Sequence, residues 1–199
     1  MTALVPAVSR DEALRRLARR GWRRLFARAP RDEHLELVYL PRYQIALVPS
    51  VNEGGLRQGA AAGLSSSGCV AFVGAYEGDV GIFDLAGLTY LAADPAERFA
   101  PRLSTDEALH FARQRVQRAA LASTRPHERL TIVEPPRIEL VYYPYWAYYF
   151  RRCAGMLDAA LLDAVTGSRA GPQLTRALLA ALATNQGIAR ASARDKSRG

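Results

Sequence analysis

Two stretches of this chain space their apolar residues at helical intervals, and two others are apolar on both alternating faces. Leu14, Leu17 and Leu25, with Gly21 between, follow Ser9-Arg-Asp-Glu; Leu109, Ala112, Val116 and Ala120 follow Ser104-Thr-Asp-Glu. A serine cap, acids in the first turn and a stripe at helical period predict one amphipathic helix in each place. The apolar runs are LELVYLPRYQIAL at 35–47 and IELVYYPYWAYYF at 138–150. Long runs apolar on both faces predict strands covered on both sides.

The likeness within each pair implies an internal repeat. The helix starts lie 95 residues apart and the strand segments 103 apart, so the second copy holds extra residues, among them LTIVEPP at 130–136, which predicts an added short strand. Each copy then continues into GCVAFVGAYEGDVGIFDLAG (68–87) or CAGMLDAALLDAVTG (153–167). In these, Phe83-Asp84-Leu-Ala-Gly87 aligns with Leu162-Asp163-Ala-Val-Thr-Gly167 as a closing strand and turn. Pro41 and Pro144 recur at one place in the long strands; having no N–H for a ladder, they mark an edge, a bend or a strand start. Residues 54–68, rich in glycine, alanine and serine, predict a flexible loop.

The expected fold is α+β: a flexible 1–8, a first helix-plus-antiparallel-meander repeat over 9–95, and a second over 104–171. The two repeats pack as an internal pseudo-dimer. A C-terminal helix follows over 172–187, opened by Pro172 and stopped by Gly187, and then a disordered basic tail over 188–199.

The order Ser-x-Asp-Glu-Ala-Leu, helix, strands, then Leu161-Leu-Asp-Ala-Val-Thr-Gly167 resembles the PepSY domain, best over 104–171. The resemblance implies a small non-catalytic α+β module that binds or restrains a protein partner. The Tyr-x-Pro at the centre of each long strand is not a feature of that family.

Composition narrows the chemistry. The net charge is +8, and Lys196 is the one lysine among 27 basic residues, a bias that fits a GC-rich genome. Residues 1–30 hold eight arginines against Asp11 and Glu12, and 188–199 hold four basic groups against Asp195, so the body between is close to neutral. Cys69, Cys153, His34, His110 and His127 show no metal-ligand spacing, and neither metal nor cofactor is called for. Two free thiols are the expectation, with a disulfide left open. No signal-peptide pattern or spanning apolar run is present, which points to a cytoplasmic protein. Gly63-Leu-Ser65-Ser-Ser67 lacks the second glycine of a nucleophile elbow.

Three constellations remain. Arg15, Arg16, Arg19, Arg20, Arg23 and Arg24 fan over the polar side of the first helix without an interleaved acid. Arg16, Arg19, Arg20 and Arg23 are therefore candidates for meeting phosphate or carboxylate, with nucleic acid a possible partner. Tyr142, Tyr143, Tyr145, Trp146, Tyr148 and Tyr149 predict either a half-buried strand that binds a protein partner through its aromatic rings, or a strand that belongs to the core and a subunit interface. Glu36 and Glu139, like Asp84 and Asp163, stand at repeat-equivalent places and form the one conceivable acid–base pairing. The leading reading is a non-enzymatic interaction protein, an accessory subunit or assembly factor.

Overall fold

The computed structural model describes residues 2–18, 34–49, 68–92, 99–122, 130–151 and 157–183. The elements run β1 (Thr2–Leu4), α1 (Arg10–Ala18), β2 (His34–Pro49), β3 (Cys69–Gly74), β4 (Val80–Asp84) and β5 (Tyr90–Ala92). Then come α2 (Thr105–Ala122), β6 (Leu130–Ile132), β7 (Ile138–Arg151), β8 (Leu157–Asp163) and a third helix, α3, over 172–183. The class is α+β, with an eight-stranded mixed sheet in the order β4-β3-β2-β7-β1-β5; β6 pairs with β2 and β8 with β7. Most pairings are antiparallel, while β1 meets β7 in parallel. No helix among the described residues is long and apolar enough to cross a membrane.

The start of the chain departs from the expected loose terminus. Thr2–Leu4 pairs with Tyr90–Ala92, and Ala3 and Leu4 are fully buried. Three residues with two apolar side chains suffice once β5 and β7 flank them. Residues 54–67 of the expected flexible loop 54–68, the end of the C-terminal helix at 184–187 and the tail 188–199 lie outside the described residues, as does Cys153.

The chain forms two compact units, and they do not follow the contiguous ranges expected. Unit 1 is Met1–Val5 with Leu40–Tyr143; unit 2 is Pro6–Tyr39 with Pro144–Gly199. Each long strand therefore belongs to both units, and each changes unit at its Tyr-x-Pro or Tyr-Pro step.

In unit 1, α2 buries Ala108, Ala112 and Val116 against Tyr43, Ile45, Leu47, Ala71, Val73 and Ile132. In unit 2, α1 buries Ala13 and Leu17 with Leu35, Trp146, Tyr148, Leu162 and Ala164. The helix face is turned one residue from the expected one: Ala13 is buried, whereas Leu14 is 38% exposed. Side chains lean toward the helix N-terminus, and the small Ala13 and Ala108 let each helix come close to its strands.

Both units carry the same hydrogen-bond frame. In unit 1 the Pro41 carbonyl accepts from Ala75 N–H at 3.2 Å, and the Ala75 carbonyl accepts from the N–H of Arg102 and Leu103 at 3.0 and 2.9 Å. Tyr43 donates its hydroxyl to the Leu103 carbonyl at 2.6 Å. In unit 2 the Pro144 carbonyl accepts from Ala164 N–H at 3.1 Å, and the Ala164 carbonyl accepts from Ala7 and Val8, both at 2.8 Å. Trp146 Nε1–H donates to the Val8 carbonyl at 2.8 Å. The turns match too, with Gly78 N–H on Gly74 O at 2.9 Å and Gly167 N–H on Asp163 O at 2.8 Å.

This frame corrects the alignment of the closing strands. Asp163–Gly167 corresponds to Gly74–Gly78, not to Phe83–Gly87. Asp84 and Asp163 look alike because both open turns: Asp84 Oδ1 accepts from Ala86 N–H, and Asp163 Oδ1 accepts from Val165 and Thr166. The shared side-chain role hid the difference in backbone position.

Candidate functional site

The aromatic stretch of β7 is not half-buried. Tyr142, Tyr143, Tyr145, Trp146, Tyr148 and Tyr149 are all at or below 8% exposure. Two of the polar tips have partners inside the fold, which offsets the cost of burying them. Trp146 reaches the Val8 carbonyl, and Tyr149 donates to Glu36 Oε1 at 2.7 Å. Tyr143 meets Phe72 edge-on, ring centroids 5.5 Å apart, and the Arg42 guanidinium sits 4.8 Å from the Tyr143 centroid. These rings are core, and their faces are not offered to a partner.

Of the anion-binding candidates, Arg19, Arg20 and Arg23 lie outside the described residues. Arg16 is placed, and it is engaged. Its Nε donates to Glu12 Oε1 at 2.7 Å and its Nη1 to the Gly167 carbonyl at 2.9 Å. Arg15 also pairs with Glu12. Arg169 completes the junction by donating to the carbonyls of Arg16 and Leu17 at 3.1 and 3.3 Å. Glu12 is thus the interleaved acid that the arginine pattern concealed: it precedes the cluster by one helical turn, at the right spacing for both partners. The bonds from Arg16 and then Arg15 hold its carboxyl below the usual range.

Four further acids are similarly committed. Glu107 Oε2 accepts from Ser104 N–H at 2.8 Å and from its hydroxyl at 2.9 Å, while Ser104 Oγ accepts from Glu107 N–H at 3.3 Å, so the serine cap read in the sequence is here part of a capping box. Glu36, besides Tyr149, has His34 Nε2 at 3.3 Å. Glu36 falls in unit 2 and Glu139 in unit 1. Asp84 and Asp163 serve their turns.

Sequence reasoning missed two features. Arg42 is 7% exposed and donates to Asp79 at 2.6 Å, a buried guanidinium whose only sequence cue is its place after Pro41. The second is a shallow cavity of about 460 Å³ along the first turns of α2, lined by Leu103, Asp106, Glu107, His110 and Phe111. No cluster of three or more metal-ligating side chains occurs among the described residues. No protein-family model, curated protein or solved structure matches the chain.

Proposed function

We propose that this chain is a non-enzymatic interaction protein, an accessory subunit or assembly factor, assembled from two copies of one helix-and-strands unit. The observation that carries the reading is the use of its acids. Glu12, Glu36, Asp84, Glu107 and Asp163 each bind a group of the fold itself: an arginine, a tyrosine, or the amides of a cap or turn. Such acids are fixed parts of a scaffold.

The duplication is supported by the matching frames around Pro41 and Pro144. In this reading the copies form an internal pseudo-dimer in which each helix packs against strands from both copies. The PepSY-like character of 104–171 belongs to the same proposal, since that resemblance implies a module that binds or restrains a protein.

The test is native co-purification of the full-length chain with quantitative mass spectrometry. A stoichiometric protein partner is the expected result; recovery of the chain alone as a stable monomer counts against it. The rival is nucleic-acid binding by the basic first 30 residues, favoured by their charge and weakened by the engagement of Arg16. A fluorescence-anisotropy titration with RNA and DNA at two salt concentrations separates them. Binding that falls with salt and is lost when Arg19, Arg20 and Arg23 become glutamine would put the rival in first place.

A further inference from the structure

The sheet order ends at β4. In an antiparallel pair, residues that exchange hydrogen bonds alternate with residues whose N–H and C=O point away. Gly74 N–H donates to Asp79 O at 2.8 Å and Leu85 N–H to Gly68 O at 2.9 Å, and the register between them sets Phe72 opposite Gly81 and Val70 opposite Phe83. Gly81 and Phe83 therefore bond to β3, and the backbone groups of Val80, Ile82 and Asp84 point outward. Among the described residues no strand pairs with that outer side. Val80 to Phe83 are each half-buried, and the strand has no lysine, proline or register break of the kind that blunts natural edges.

Side chains and charge say what fits there. Val80 and Ile82 pack on the cluster under α2, so an added strand would extend that apolar face with its own alternate residues. On the opposite face the Phe83 ring lies over Gly81, where a Cβ would stand 2.6 Å from it. From Tyr76 to Ala92 the chain carries Glu77, Asp79 and Asp84 and no lysine, arginine or histidine, although the whole chain is +8. Asp79 is paired with Arg42; Asp84, exposed at the end of β4, is in no ion pair among the described residues.

We propose that the outer edge of β4 takes up an extended, basic segment of a partner protein as an added strand. The proposal deepens the interaction reading and rests on it. Main-chain bonds to Val80 and Ile82 supply the pairing, and a cation beside Asp84 sets the direction of the segment.

The test uses the full-length chain and a fluorescein-labelled peptide of alternating arginine and valine, read by anisotropy. Its glutamate–valine counterpart and its fully N-methylated form serve as controls. Ile82→Pro removes an outward N–H that the β3–β4 ladder does not use, with retention of fold checked by circular dichroism. The arginine peptide is expected to bind, and each of the three changes to weaken binding at least tenfold. Equal affinity for the N-methylated peptide, undiminished binding by folded Ile82→Pro, or no binding of the arginine peptide overturns the proposal. Should Ile82→Pro fail to fold, the N-methylated peptide decides alone. A partner co-purified equally by the wild-type chain and by Ile82→Pro overturns the edge site and leaves the interaction reading standing. Recovery of the wild-type chain alone overturns both.

Discussion

Gly78 and Gly167 occupy the same turn position in the two units, with φ of 67° and 71°. What covers each differs. A Cβ at Gly78 would stand 2.6 Å from the Phe111 ring, and one at Gly167 would collide with the Arg16 guanidinium. Both alanine variants lose stability through the positive φ, by about 1 to 3 kcal/mol. Gly78→Ala should lose more in urea unfolding, because a packed ring cannot yield as the end of an arginine can. Equal losses would show that the covering side chain is irrelevant. Glu107 supplies a pH prediction. The Ser104 backbone N–H, then its hydroxyl, lowers the Glu107 carboxyl from its ordinary 4.5, against a smaller upward effect of burial. A depressed folded-state value means that the cap stabilises α2 fully above the ordinary value and is lost as pH falls through the folded one. A carboxyl ¹³C titration should therefore place the Glu107 midpoint below 4.5, and Ser104→Ala should raise it. A midpoint unmoved by Ser104→Ala would mean that the capping box does not act in solution.

The helices are joined to their strands by one repeated device, the polar tip of an aromatic side chain donating to the carbonyl just before the serine cap. Tyr43 does this for α2 and Trp146 for α1. Both rings lie in the core, so removing the donor leaves a part-buried carbonyl without its partner. Tyr43→Phe, which keeps the ring, should cost about 1 to 2 kcal/mol in urea unfolding. Trp146→Phe should cost more, since it also opens a cavity. If Tyr43→Phe is neutral, water reaches the Leu103 carbonyl and the device contributes nothing. Both serine caps and the helical period were legible in the sequence. The identity of each helix's strands was not, because the tyrosine and tryptophan that hold them lie far along the chain from the helices they anchor.

At the scale of the molecule, β2 and β7 each contribute residues to both compact units. Disrupting one unit withdraws half of each long strand from the other, so the units should open together. Native-state hydrogen exchange is expected to give the slowest amides of β2–β3 and of β7–β8 one common free energy of opening. Two distinct values would show that Pro41 and Pro144 uncouple the halves of their strands. The basic ends belong to this scale as well. Their charge was plain in the composition, while the engagement of Arg16 by Glu12 and Gly167 was not, since the Gly167 carbonyl lies 151 residues from it in sequence.

The sequence by itself determined the α+β class, the two serine-capped helix starts and the two long strands. These are written in short windows, as period, cap chemistry and local composition, and survive without knowledge of distant contacts. Only the tertiary structure decided that Asp163 matches Gly74 instead of Asp84, that the tyrosines of β7 are core, and that each long strand changes unit near its proline. Those outcomes depend on which carbonyl a distant N–H or hydroxyl reaches. The polarity of one residue type, tyrosine above all, reads the same along the chain whether its partner is water or the backbone of a helix more than a hundred residues away.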